Sequence, residues 1–254
     1  MAQYAFGGGV LWGTPTQDAF GNAIVNPTPV QFGTLQDVSL DLSFDTKMLY
    51  GNLQFPVAVG RGKGKCAGKA KVAQLNGQLI NQLFFGQTGT AGLTADYLDT
   101  AGTAIPSSPY SITPTPPTSG VWTTDLGCRN AAGVALTRVA SAPATGQYTV
   151  AAGVYTFAAA DTGTTVYISY QYTAVNANAI TTSILNLPMG YAPSFRADLS
   201  LPYNGQFLTF SLPNCVSSKM SFATKQDDFM VPEFDFEVFA NSAGQLMTMS
   251  LSSK

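Results

Sequence analysis

Apolar and polar residues exchange at every position from Asp37 to Asp45. Val38, Leu40, Leu42 and Phe44 fall on one side, and Asp37, Ser39, Asp41, Ser43 and Asp45 on the other. A period of two predicts a strand with one face in a core and one in water. The same period recurs in QYTVAAGVYTFAAADTGTTVYISYQYT, residues 147–173, where Tyr148 and Val150, then Tyr155 and Phe157, then Val166, Ile168, Tyr170 and Tyr172 alternate with small or polar residues. Ala152-Gly153 supplies a permissive turn, so the segment predicts an antiparallel meander. Further on, Phe195, Ala197, Leu199 and Leu201 face Leu208, Phe210 and Leu212 across Asn204-Gly205, a strong hairpin signal. Another strand is expected over 216–222. A final pair follows: Phe234, Phe236 and Val238 alternate with Glu233, Asp235 and Glu237, and a turn at 242–244 leads to Met247, Met249 and Leu251.

Two segments depart from this pattern. Leu49 to Lys65 is extended but broken by Pro56 and by glycines at 60, 62 and 64, which suits an edge or bulged strand. Val72, Leu75, Leu79, Ile80, Leu83 and Phe84 recur at helical spacing over about three turns before Gly86, although Gly77 weakens the element. Residues 87–120 are rich in Gly, Thr, Ser and Pro, ending in TPTPPTSG, and read as a linker or extended loop. Beyond them, residues 121–176 carry short strands with turn signals at the spacing of a small sandwich.

The pattern therefore predicts a mainly β protein. Its core is an antiparallel β-sandwich or barrel with one flanking α-helix near 71–85, and a small inserted Ig-like β-sandwich module interrupts it. The expected divisions are an extended N-terminal arm over 1–29, a core over 30–105 and 183–254, and a linker with the inserted module over 106–182.

Composition changes the picture in one respect. Charged residues make up 10% of the 254-residue chain, where a soluble domain ordinarily has about a quarter. Low charge at ordinary apolar content suits either a surface covered by other copies through neutral contacts or a secreted, Thr-rich β-protein. The net charge of −2 gives the whole molecule no electrostatic reason to seek nucleic acid or an acidic membrane. The charges are nonetheless segregated. Arg61, Lys63, Lys65, Lys69 and Lys71 form a basic stretch, and Asp227, Asp228, Glu233, Asp235 and Glu237 an acidic one. Complementary patches suit head-to-tail contact between copies; two solvated faces or an internal pairing would produce the same sequence. The start MAQYAFGGGVLWGTP lacks the marks of a signal peptide, and no apolar run is long enough to span a bilayer, so a soluble intracellular product without membrane insertion is expected. Cys66, Cys128 and Cys215 are too scattered for a zinc site or disulfide scaffold.

Chemistry is sparse. The chain has no histidine, which removes Ser-His-Asp and Cys-His catalysis. GRGKGKCAGKAK lacks the spacing of a phosphate-binding loop. Asp37, Asp41 and Asp45 would stand about 13 Å apart in successive pairs along a strand, too far for a calcium loop or a glycosidase pair, and read as a polar wall. Tyr148, Tyr155, Tyr167, Tyr170 and Tyr172 either pack in a core or stack sugars or bases on an exposed face. No catalytic residue, metal or cofactor is expected.

Three pieces carry a resemblance to a known family: the strand and helix from Asp37 to Gly86, the VPEFDFEVFANSAGQLMTMSLS terminus, and the Tyr-rich module. Together they resemble major tail proteins of tailed bacteriophages, the subunits of the tail tube. The resemblance implies hexameric rings stacked into a hollow tube, with a polar face lining the lumen and arms reaching the next ring. It makes Asp37, Ser39, Asp41 and Ser43 candidates for the lumen, where like charge would let double-stranded DNA slide without specific binding. It makes Arg61, Lys63, Lys65, Lys69 and Lys71, with Asp227, Asp228, Glu233, Asp235 and Glu237, candidates for contacts between rings, and places residues 121–176 on the tube exterior. The implied partners are other copies and other phage tail proteins, and the implied location is the virion tail after assembly in the host cytoplasm. Two other readings compete: a different phage structural protein, such as a baseplate or capsid decoration component, and a glycan-binding β-module or adhesin.

Overall fold

The computed structural model describes residues 7–74 and 76–252. The chain divides into unit 1, Met1–Gly89 with Thr182–Lys254, and unit 2, Thr90–Thr181. Unit 1 begins with β1 (Val10–Gln17), β2 (Val30–Gln31), β3 (Leu35–Tyr50) and β4 (Pro56–Val72). Unit 2 contains β5 (Thr90–Ala91), β6 (Leu93–Tyr97), β7 (Thr103–Ala104), β8 (Ser111–Ile112), β9 (Val121–Asn130), β10 (Thr137–Arg138), β11 (Gln147–Ala151), β12 (Val154–Phe157), β13 (Thr165–Ala174) and β14 (Ile180–Thr181). Unit 1 then resumes with β15 (Ser194–Tyr203), β16 (Gln206–Ser221), β17 (Glu233–Val238) and β18 (Thr248–Ser252). The protein is mainly β, as the alternation predicts.

The strands of unit 1 form one 8-stranded antiparallel sheet in the order β2-β1-β15-β16-β17-β4-β3, with β18 on β16. Its inner face is the core: Leu11, Phe32, Ala70, Phe195, Ala197, Leu212, Phe234 and Phe236 are buried there. The rings meet edge to face, Phe32 with Phe234 at 5.1 Å and Phe195 with Phe236 at 5.8 Å between centroids, the arrangement that aromatic quadrupoles favour. The helix, Leu79–Phe84, lies on this inner face and buries Leu79 and Leu83. Burying one such leucine contributes roughly 1.5–3 kcal/mol. The helix is docked by polarity as well, since the Ser217 hydroxyl donates to the Leu83 carbonyl at 2.7 Å.

Unit 2 is a sandwich of two 4-stranded sheets, one of β10, β11, β12 and β8, the other of β6, β13, β7 and β9. Tyr148, Tyr155 and Phe157 from the first meet Val166, Ile168, Tyr170 and Tyr172 from the second in one buried cluster. Two carboxylates sit inside it with their bonds made. Asp125 accepts from the hydroxyls of Tyr148 at 2.8 Å and Tyr155 at 3.0 Å and from the Gly127 N–H at 2.9 Å. Asp99 accepts from the backbone N–H groups of Ala101, Gly102 and Ile168. Buried polar groups without such partners would cost about 1–3 kcal/mol each. Thr90 and Thr181 are paired in β5 and β14, so the unit's entry and exit are neighbouring strands.

Both predicted tight turns form, Asn204-Gly205 at φ 49° and 75° and Ala152-Gly153 at φ 48° and 82°. Other expectations need correction. The arm over 1–29 is not an arm throughout: Val10–Gln17 lies between β2 and β15. Its inward positions are Leu11, Gly13 and Pro15, a weak apolar alternation, because a Cβ at Gly13 would stand 2.3 Å from Leu83. Residues 1–6 lie outside the described residues. The helix is shorter than 71–85 and π-helical, with the Phe85 N–H reaching the Ile80 carbonyl at 3.2 Å; Val72 belongs to β4, and Leu75 lies outside the described residues. The supposed linker over 87–120 contains β6, which pairs with β13 along Leu93–Tyr97, so the compact unit starts at Thr90. The 216–222 strand is the continuation of β16 past Pro213. β17 and β18 are not partners of each other; both pair with β16 at different points along it.

Gly68 marks the tightest approach in the core, since a Cβ there would lie 2.1 Å from the Phe236 ring. Gly68→Ala is therefore expected to destabilise unit 1 by about 1–3 kcal/mol, read as a lowered denaturation midpoint. An unchanged midpoint would show that the strands spread freely at this point.

Candidate functional site

The outer face of the unit 1 sheet, opposite the helix, gathers most of the residues that the sequence singles out. Pairing of β3 with β4 sets Asp37 beside Lys71, Ser39 beside Lys69, Asp41 beside Ala67 and Ser43 beside Lys65. Pairing of β17 with β4 sets Glu233 beside Lys71, Asp235 beside Lys69 and Glu237 beside Ala67. Directly opposed residues share a face, so the lumen candidates of β3 and the basic ring-contact candidates of β4 are adjacent columns of one surface. A bulge between Ser217 and Lys219 in β16 brings Lys219 opposite Asp235 on the same side.

The charges on this face are paired inside the chain. Lys65 Nζ meets Glu237 at 2.9 Å, Lys69 meets Glu233 at 2.7 Å and Lys71 meets Asp37 at 3.5 Å. Lys219 bridges Glu233 at 3.2 Å and Asp235 at 4.0 Å. The basic and acidic segments thus do not stand apart as two outward patches, because β17 is the strand next to β4. Surface pairs of this kind stabilise a fold by about 0–1 kcal/mol each; their larger effect is to cancel charge. Five carboxylates, Asp37, Asp41, Glu233, Asp235 and Glu237, face four lysines, 65, 69, 71 and 219, which leaves this part of the surface one negative charge in excess. Further along the same face, Asp198 accepts two bonds from Arg196, both 2.8 Å, and one from Ser211 at 2.7 Å. Burial pushes the Asp198 carboxyl up, but these hydrogen bonds outweigh it and hold the group below its ordinary 3.8. Sequence reasoning missed Lys219, Arg196 and Asp198, since only the pairing of β15, β16 and β17 brings them to the others.

Asp227 and Asp228 do not join this face. They lie in the loop between β16 and β17, where Asp228 pairs with Lys225 at 3.6 Å.

A second feature is the far part of the β3–β4 hairpin. β17 stops pairing with β4 at Cys66, while β3 and β4 continue together to Tyr50 and Pro56. A two-stranded ribbon roughly 25 Å long therefore leaves the sheet, and among the described residues no third strand pairs with either of its edges. Phe44, Met48, Leu49 and Val59 along it are exposed, and Leu53 and Phe55 at its tip are each 80% exposed. Arg61 stands over the Phe44 ring at 4.7 Å rather than in the charge ladder. An apolar run without a core beneath it marks an interaction surface. The sequence signal was present in Leu53, Phe55, Val57 and Val59, but an edge strand of the sheet reads the same way.

In unit 2 the tyrosines are mostly core. Tyr148, Tyr155, Tyr170 and Tyr172 are buried, and Tyr167 lies under the Arg129 guanidinium at 5.3 Å. They offer no open stacking platform for a sugar. The cysteines are buried and unpaired, and burial pushes Cys128 and Cys215 up to about 12.

No protein-family model matches this chain, and no curated protein is significantly similar to it.

The ladder has a defined pH window. Hydrogen bonding from Lys69 holds Glu233 below its ordinary 4.5, and the same bond holds Lys69 above its ordinary 10.5. A lowered carboxylate contributes stability at neutral pH that is lost as pH falls through its folded value; a raised amine contributes stability that is lost as pH rises through its own. Glu233→Gln is thus expected to lower the denaturation midpoint at pH 7 and to make no difference in acid below the folded Glu233 pKa. An equal penalty at both pH values would refute the assignment.

Proposed function

We propose that this chain is the structural subunit of a bacteriophage tail tube, assembling as stacked hexameric rings that form the conduit for DNA ejection. The observation that carries the reading is the β3–β4 ribbon, which projects apolar side chains and two free edges beyond its own sheet. Such a ribbon is stable in water only against a partner, and a subunit built to meet other copies has that partner in every neighbour. The resemblance of the Asp37–Gly86 segment and the C-terminal strands to tail tube subunits points the same way.

In this reading the charged outer face lines the lumen. DNA phosphates are held by unpaired lysines and arginines. Here Lys65, Lys69, Lys71 and Lys219 each have a carboxylate within 4.0 Å, and the excess charge is negative. Double-stranded DNA would pass such a wall without adhering. The wall is the work of unit 1, because unit 2 contributes no strand to the 8-stranded sheet. The partners are other copies of the chain and other tail proteins, in the virion tail. A glycan-binding module is the weaker reading, since its tyrosines are spent on the core of unit 2.

Negative-stain microscopy of the purified full chain tests the proposal, with rings or tubes bearing an axial hole as the expected result. Persistent monomers at high concentration would sink it. A chain lacking Thr90–Thr181, closed by a short Gly/Ser joint, is expected to form the same rings, and loss of rings would assign unit 2 to the wall.

A further inference from the structure

A chain of hydrogen bonds in unit 2 runs from a half-buried indole to a buried carboxylate. Trp122 donates its N–H to the Tyr155 hydroxyl at 3.3 Å. That hydroxyl donates in turn to Asp125 Oδ1 at 3.0 Å, and the Tyr148 hydroxyl donates to Oδ2 at 2.8 Å. The Asp125 side chain is only 4% exposed. We propose that these residues form a redox site, in which a one-electron oxidant arriving at Trp122 is finally supplied by Tyr155 while the phenolic proton passes to Asp125. The site belongs to unit 2 alone and does not rest on the tube reading.

The oxidant first takes one electron from the Trp122 indole. The indole N–H is bonded to Tyr155 rather than to water, so it stays in place and only an electron is needed to restore the ring. Tyr155 gives that electron. Its O–H bond breaks and the proton joins Asp125, leaving a reduced oxidant, a neutral Tyr155 phenoxyl radical and a protonated Asp125 carboxyl. A phenol that has lost an electron is a strong acid, so oxidising one in a dry interior requires a base already in contact with it. The structure supplies that base deliberately: a bulge in β9 turns Leu126 outward and Asp125 inward, where the register with β13 passes from Gly127 to Asp125. Arg138 Nη1, 3.7 Å from Oδ2, favours the ionised carboxylate that can accept a proton. Burial first, and the Asp125 charge with it, pushes the Tyr155 hydroxyl above its ordinary 10, so at neutral pH its proton stays until the electron leaves. Tyr170 makes the contrast. It is equally buried, but its hydroxyl has no partner among the described residues and therefore no acceptor for a proton. Tyr148 shares the base and stacks on Tyr155 at 5.8 Å between centroids, yet it is Tyr155 that the indole touches.

Pulse radiolysis of the full chain in azide solution tests the site, because the azide radical takes one electron from an accessible indole. Trp12, 42% exposed in unit 1, is first replaced in Trp12→Phe so that Trp122 is the one tryptophan left to oxidise. The expected result is a tryptophan radical whose absorption gives way to that of a tyrosyl radical in a first-order step, independent of protein concentration and slower in D2O. Tyr155→Phe, which leaves Asp125 bonded to Tyr148 and Gly127, is expected to abolish that step. Asp125→Asn is expected to slow it by roughly a hundredfold, the contribution of a positioned base. Tyr170→Phe is expected to leave it unchanged. A conversion that survives Tyr155→Phe, one whose rate rises with protein concentration, or one that Tyr170→Phe slows as much overturns the proposal. Equal rates in H2O and D2O also overturn it, and this arm needs no change at Asp125, so it stands even if Asp125→Asn does not fold. A network that only holds the sandwich together gives no first-order conversion at all.

Discussion

Unit 1 depends on the seating of β17 between β16 and β4. That strand is hydrogen-bonded on both edges, and it joins chain from before the inserted unit to chain from after it. Its two faces do different work. Phe234 and Phe236 enter the aromatic core with Phe32 and Phe195, while Glu233, Asp235 and Glu237 stand between the lysines of β4 and Lys219 of β16. Because side chains alternate across a strand, one six-residue segment fixes both the core and the charge balance of the exposed face. A slip of one residue would exchange them.

The second consequence of that seating lies in what β17 does not cover. It is 6 residues long, whereas β3 has 16 and β4 has 17. The surplus of the longer strands becomes the ribbon. Its apolar residues, Met48 and Leu49 among them, stand on both faces of the ribbon, beyond the point where β17 pairs with β4. The exposed surface of unit 1 is thus of two kinds, a neutralised polar face and an uncovered apolar ribbon, and these ask for different neighbours: solvent or a sliding polyanion at the first, protein at the second.

Unit 2 solves a separate problem. Its sheets are narrow, and two carboxylates lie within them, yet Asp125 and Asp99 have their hydrogen bonds made by tyrosine hydroxyls and backbone amides. The tyrosines that make the segment conspicuous in the sequence serve this interior. Its ends enter and leave on paired strands, which lets it interrupt the chain between β4 and β15 while the 8-stranded sheet forms without it.

Strong alternation was enough to read β3, β13, β15 and β17, and Asn204-Gly205 and Ala152-Gly153 were enough to read their turns, because a period of two and a positive φ are local requirements. β1 was hidden, since its inward Gly13 has no side chain where Leu83 packs and Pro15 does not signal a strand. The helix was overextended because Val72 satisfies helical spacing and strand pairing equally well. For the candidate site, the charged residues of β3, β4 and β17 could be picked out one by one, but their meeting could not. By itself the sequence determined a mainly β chain, the hairpins at Ala152-Gly153 and Asn204-Gly205, an inserted unit and the sparing use of charge. Only the tertiary structure decided that the charges of β3, β4 and β17 neutralise each other within one chain and that the β3–β4 ribbon runs on beyond the sheet, because strand order and the lengths of neighbouring strands are set by long-range hydrogen bonding that leaves no mark in local periodicity.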